Sequence, residues 1–216
     1  MNIIQRYKDT HMNPIIRTIG TATILSFILS GCLNILPKYQ EMEWYIQPDG
    51  TVLIKDHLYD LYYAGSSTSS AIKTFVKFVE EMEPPILTPA PSEDDTNVFI
   101  RLRELQDKYG GLNWLQEVEV PFKEIVKGFD IETADGFYWI LFDTNSVTIE
   151  TNGQTITHPD ETKKLIVRWP TNTTYFWFKQ TSKCGDEEIS LVEFWREYCA
   201  VGRDITMLTN KLSRTD

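Results

Sequence analysis

From Trp114 onward the chain consists of short runs rich in β-branched and aromatic residues, cut by turn residues. This pattern is what most limits the fold. Gly136 to Asp143, GFYWILFD, is a continuous apolar run bounded by turns, which points to a central strand. SVTIETNGQTIT sets β-branched residues on both sides of Asn152-Gly153, a pair suited to the positive-φ turn of a two-residue hairpin. LQEVEVPF alternates, KKLIVRW stops at Pro170, and TTYFWFKQ supplies another strand. KEIVKGF reads as either a helical turn or a strand.

The preceding half mixes the two periods. EMEWYIQPDGTVLIKDHLYDL predicts a hairpin about Pro48-Asp49-Gly50, with Trp44 and Ile46 on one strand and Val52 and Ile54 on the other. Ile72, Phe75, Val76 and Val79 then fall on one helix face, preceded by capping serines and stopped by Pro84-Pro85. Residues 84–96, rich in proline and acids, read as a surface loop. NVFIRLRELQDKYGG predicts a second helix, with Asn97 as cap, Phe99, Leu102 and Leu105 along one face, and Gly110-Gly111 as its stop. DEEISLVEFWREYCAVG predicts a closing helix with Leu191, Val192, Trp195, Tyr198 and Cys199 on one stripe, and its acids at the favourable N-terminal end. The expected architecture is α+β: a mainly antiparallel sheet covered on one face by about three helices. It forms a single domain over residues 41–204, followed by a frayed tail at 205–216.

The first residues have a different task. Ile19 to Leu29 form an apolar run too short to span a bilayer, with Arg17 before it and the small residues Ser30 and Gly31 after it. This is the layout of a secretory signal. The last four residues, Leu29-Ser30-Gly31-Cys32, resemble the lipobox of bacterial lipoproteins. The resemblance implies that the Cys32 thiol receives a diacylglycerol, that residues 1–31 are removed as a signal peptide, and that two or more acyl chains such as palmitate hold the chain stably on a membrane. Residues 32–40 then serve as a tether. In that class an Asp after the Cys often retains the protein in the inner membrane. Leu33 stands here, which implies the outer membrane where the cell has two. Met12 begins a compact signal of its own, so either Met1 or Met12 can be the start.

The chain holds 21 basic and 31 acidic side chains, a formal net charge of −10. Arg6, Lys8, Arg17 and Asp9 fall in the signal segment, so the body is more acidic still. Such a body is repelled by phosphate backbones, which argues against nucleic acid as a partner. Cys184 and Cys199 remain after acylation, and an exported protein meets oxidising conditions. They are candidates for a disulfide, or else two separate buried thiols. No metal site is expected, because His57 and His158 lie at no ligand spacing from a cysteine and read as exposed strand-end or loop residues.

No nucleophile elbow, zinc-protease helix, phosphate-binding loop or dinucleotide fingerprint occurs, so neither catalytic residues nor a cofactor are expected. What the chain does have is clustered aromatics. In TTYFWFKQ, Tyr175 and Trp177 share one face while Phe176 and Phe178 share the other. One face belongs to the core. The other either packs under helices or forms an aromatic platform for a sugar ring or an apolar ligand. An opening strand with an Asp-Gly hairpin, and a later Asn-Gly hairpin running into a Trp-bearing strand, is similar to LppM-like small lipoproteins. Asp49-Gly50, Asn152-Gly153 and Trp169 carry that likeness, and no catalytic residue comes with it. The expectation is a lipid-anchored cell-envelope protein with a non-enzymatic binding or structural role and an unidentified envelope ligand or protein as partner. The alternative is an envelope glycan hydrolase using paired carboxylates.

Overall fold

The computed structural model describes residues 34–82, 99–128, 131–145, 147–157, 163–182 and 187–212. The chain opens with β1 (Ile35–Ile46) and β2 (Thr51–Ala64), an antiparallel hairpin. Its turn is local chemistry: the Asp49 carboxylate accepts from the Thr51 amide at 3.0 Å and from the Thr51 hydroxyl at 2.7 Å, and Gly50 sits at φ +83°. Helix α1 (Thr68–Met82) follows, with Ser67 Oγ accepting from the Ser70 amide at its N-terminus. The buried face of α1 is Ala71, Phe75, Phe78 and Val79. Ile72 and Val76 of the expected face are half-buried flanks.

Next come β3 (Phe99–Lys108), β4 (Gly111–Pro121), α2 (Phe122–Gly128), β5 (Glu132–Ala134), β6 (Phe137–Asp143), β7 (Val147–Thr151) and β8 (Gln154–Thr157). The chain continues through β9 (Lys164–Pro170), β10 (Tyr175–Ser182), β11 (Glu188–Ser190), α3 (Val192–Ala200) and α4 (Ile205–Leu212). A large sheet runs β3-β4-β2-β1-β10-β7, with β11 added to the far end of β2, and a smaller one runs β5-β6-β9-β8. Every pairing is antiparallel.

The structure is thus mostly antiparallel sheet with a few helices, but helices alone do not cover the inner face. Over one end of it, α1, α3 and α4 pack Phe75, Phe78, Trp195 and Leu208 against Leu58, Leu61 and Trp114. Over the other end lies the small sheet, whose Ile140, Val167 and Trp169 meet Met42, Trp44, Phe176 and Phe178. Trp44 stands edge-on to Phe178 at 5.4 Å, and Trp169 edge-on to Phe176 at 5.2 Å, the arrangement that the ring quadrupoles favour.

Several sequence expectations change. The segment expected as a second helix is β3. Tyr109 at φ +58° and Gly110 at φ +84° form a two-residue turn that brings Lys108 opposite Gly111 and folds β3 back onto the strictly alternating β4. A register irregularity between Ile100 and Leu102 inserts one residue, so Phe99 and Leu102 share a face at helical spacing, while Leu105, opposite Trp114, lies on the other face. Phe99 and Leu102 are in fact exposed. The closing helix begins only at Val192, since Glu188–Ser190 pair with β2. Cys199 carries a free, exposed thiol outside the buried stripe of Val192, Trp195 and Tyr198, while Cys184 lies outside the described residues. Residues 205–212 are helical rather than frayed. Asp204 caps α4 by accepting from the Met207 amide at 2.9 Å, and Leu208 is fully buried. The stretch expected as a tether is already strand by Ile35, which is itself buried.

A further change concerns Asn152-Gly153. β7 pairs with β10 in the large sheet and β8 with β9 in the small one. The turn is therefore a corner between sheets. Neither residue adopts positive φ; what Gly153 supplies is space, since a Cβ there would stand 2.5 Å from Val167 Cγ1 and 2.6 Å from Trp169 Cε2. Gly153→Ala should lower unfolding free energy by about 1–3 kcal/mol through overpacking. Gly136→Ala, at φ +78° in open space, should cost only about 1 kcal/mol of backbone strain. Urea unfolding of the two variants checks the order; equal losses would mean that the corner is loosely packed.

Candidate functional site

Alternation along the strands gives the large sheet two faces of different character. On the outer face, phenols collect at two places. Tyr45 and Tyr175, neighbours across β1 and β10, lie 5.0 Å apart at their ring centres. Both donate to one oxygen, Glu43 Oε1, at 3.1 and 2.7 Å. Trp177, opposite Glu43 and half-buried, completes this group, with Lys55 5.9 Å from the Tyr45 ring. Further along the strands, Tyr39 and Tyr59 are stacked at 4.4 Å, and Lys179 stands 4.5 Å from the Tyr39 ring. Tyr59 Oη donates to Glu41 Oε2 at 3.2 Å and lies 3.1 Å from His57 Nδ1. His57 is therefore a half-buried member of a mid-strand network rather than an exposed strand-end residue.

Partial burial governs the protonation of this face. Desolvation, followed by the neighbouring Glu43, pushes the Tyr175 hydroxyl above the usual phenol range. Desolvation and Glu41 raise Tyr59 to about 12. Burial also lowers His57, against the pull of Glu43 and Glu41. At neutral pH the face thus offers protonated phenols, a neutral imidazole and carboxylates whose oxygens already accept phenol hydrogen bonds. Such a set can engage a ligand through ring faces and hydrogen bonds.

The corner at Asn152 holds this surface in place. Asn152 Oδ1 accepts from Trp169 Nε1 at 2.8 Å and from the Trp177 amide at 3.0 Å, while its Nδ2 donates to the Tyr175 carbonyl at 3.1 Å. One side chain ties the small sheet to the backbone of both platform aromatics. The two platform residues expected from sequence, Tyr175 and Trp177, do share the outer face, with Phe176 and Phe178 in the core. Their partners Glu43, Tyr45, Tyr39 and Tyr59 come from strands distant in sequence, and no local pattern joins them. Cys32 and His158 lie outside the described residues.

The inner face carries a second feature. Arg103, Gln116 and Asp56 stand in register across β3, β4 and β2. Gln40 on β1 donates to Asp56 Oδ1 at 2.7 Å. These groups interrupt an otherwise apolar face between the two hydrophobic clusters. Asp56 and Gln116 are buried, and Gln116 is wholly so. Sequence carried a signal for them: both fall at the inward parity of strands whose other inward residues are apolar, Val52, Ile54 and Leu58 around one, Trp114, Val118 and Val120 around the other.

Comparison with models of known families, with curated proteins and with solved structures gives no match.

Burial raises Asp56 to about 7, with the Gln40 hydrogen bond acting in the opposite sense. The folded state then holds a proton that the unfolded chain has released. Stability from this group is full below about pH 4 and is lost as pH rises to about 7, with a slope of at most about 1.4 kcal/mol per pH unit. Chemical unfolding from pH 4 to 8 should show Asp56→Asn nearly matching the natural chain in acid and exceeding it above pH 7. Parallel curves would place Asp56 in a polar environment.

Proposed function

We propose that this chain is a lipid-anchored cell-envelope protein whose body is a non-enzymatic binding domain, and that the outer face of the large sheet is its binding surface. The carrying observation is the Tyr45–Tyr175–Trp177 group arranged around Glu43. Sugar rings present C–H faces that pack on aromatic rings and hydroxyls that bond to carboxylates, so envelope glycan is the ligand this chemistry fits. The helices and the small sheet occupy the inner face, which leaves the outer face to meet a ligand. Support for the anchor comes from the apolar run ending in Leu29-Ser30-Gly31-Cys32. No helix among the described residues is long and apolar enough to cross a membrane.

Asp56, a carboxyl raised toward neutrality, faces inward beside Gln40 rather than toward the outer acids Glu41 and Glu43. This favours binding over glycan hydrolysis through paired acids.

Two measurements test the proposal. Metabolic labelling with a clickable fatty acid should mark the natural chain in the membrane fraction and leave Cys32→Ala unlabelled; label on the variant removes the anchor. In co-sedimentation with purified cell-wall glycan, Trp177→Ala and Tyr175→Ala should each weaken binding about tenfold, the scale of a buried aromatic anchor. Unchanged sedimentation of both variants, with unfolding midpoints intact, would take the binding surface elsewhere.

A further inference from the structure

The inner row supports an inference independent of the outer face. Gln116 is wholly buried, and neither its side-chain oxygen nor its nitrogen has a hydrogen-bond partner. Buried amides are almost always paired, so this one calls for a reason. Opposite it stands Arg103, half-buried, with Nε enclosed and equally without a partner. Its solitude is unusual among the described arginines. Arg101 pairs with Glu119, Arg196 with Asp107 and Glu193, Arg168 lies over Phe137 and Trp139, and Arg203 lies over Trp195. Desolvation moves the Arg103 guanidinium below its ordinary range, with no acid opposing it. A half-buried cation whose Nε is enclosed without a partner is stabilised by an anion.

We propose that Arg103 and Gln116 form a binding site for a small carboxylate, enclosed between the two hydrophobic clusters, with Asp56 as its far wall. The guanidinium offers parallel N–H groups that match the two oxygens of a carboxylate, and the Gln116 amide nitrogen adds a third donor. A cation would be repelled by Arg103. A doubly charged oxyanion would need more counter-charge than one arginine supplies. Ile54 and Val118 flank the row on one side, Leu58 and Trp114 on the other, so the neighbouring side chains suit a carboxylate with a short apolar tail.

Asp56 gives the site its pH sense. The charged groups of the row are Arg103 on β3 and Asp56 on β2. β4 and β1 contribute the amides of Gln116 and Gln40; of the elements packed above, α3 brings the buried phenol Tyr198 and α2 the buried Glu124 next to Ile125, and the rest of what they bury in the two clusters is apolar. A protonated Asp56 can donate to the guest, whereas the ionised form repels it. Binding therefore weakens as pH rises through neutrality.

The test uses the full chain in detergent, with acetate as probe and chloride at equal ionic strength as reference. Isothermal titration and thermal unfolding are run at pH 6 and pH 8. Acetate should bind at pH 6 and raise the unfolding midpoint there, with affinity falling about tenfold by pH 8. Arg103→Lys, which keeps the charge and loses the fork, should weaken acetate at least about tenfold. Gln116→Met should fold more stably and lose the acetate response. Asp56→Asn should bind acetate equally at both pH values, which separates this site from any effect at the outer face. An identical acetate shift in the natural chain and Arg103→Lys would be a general salt effect and overturn the proposal. So would chloride matching acetate, or no heat of binding at pH 6. Loss of glycan sedimentation in Trp177→Ala has no bearing on these readings.

Discussion

The two-sheet body depends on one close contact, the seat of Gly153 on Val167 and Trp169. The chain leaves the large sheet at Thr151 and enters the small one at Gln154, so only two residues span the passage. So short a link fixes the edge of one sheet against the face of the other. It works because Gly153 has no side chain to hold the backbone away from the indole. Asn152 then joins the same indole to β10. The cluster beneath the small sheet, as distinct from cluster one beneath the helices, is the outcome: with this edge pinned, the aromatic inner residues of β1 and β10 close on the small sheet, and every buried ring gains area and ring geometry together.

The corner also explains why two outward aromatics form a surface. A Trp and a Tyr on a free strand would lose rotational freedom on meeting a ligand. Here their backbone carbonyl and amide groups are bound by Asn152 and Thr151, and the Tyr175 hydroxyl is held by Glu43. Much of the ordering is complete before any ligand arrives, which is what makes a half-exposed aromatic useful for binding. The inner row follows the opposite logic. Packing would favour apolar residues at Asp56 and Gln116, because enclosed polar groups oppose folding by about 1–3 kcal/mol each when unpaired. Stability surrendered at a single row across three strands is what the proposed carboxylate site would account for.

Sequence revealed the elements far better than their assembly. The first hairpin, α1, β6, β9 and β10 follow directly from turn chemistry and periodicity, and the opposed faces of Tyr175/Trp177 and Phe176/Phe178 follow from strand parity alone. It misled where one local pattern has two physical origins. Phe99 and Leu102 share a face at a spacing of three because a bulge adds a residue, and with Leu105, which lies on the opposite face, they copy the spacing of a helix. Asn152-Gly153 fits a tight hairpin, yet its value here is hydrogen bonding and the absence of a Cβ, both set by Trp169 in another sheet. Asp204 is a cap signal that the reading of 205–216 as a frayed tail passed over, and the short segment after it owes its order to Leu208 entering a core built by residues far upstream. The polar row was legible only as a break in apolar alternation; its meaning required three strands in register.

The start of β1 bears on how an anchored body would stand. Ile35 is buried in cluster one, and only Leu33 and Asn34 separate it from Cys32. Three residue steps reach about 10 Å at most. Acylation of Cys32 would therefore bring the helix-covered end of the large sheet close to the membrane, where a flexible tether of nine residues would have let it turn freely. Tyr45 lies at the other end of the same strand. At about 3.3 Å per residue, the ten steps from Ile35 place it about 33 Å away along the strand. A short leash and a long, stiff hairpin together carry the Tyr45–Tyr175–Trp177 surface away from the anchored end. The acidic charge of the body opposes its lying flat on an anionic bilayer. With the proposed anchor in place, strand length and charge would favour one posture, in which the proposed binding surface is turned from the lipid.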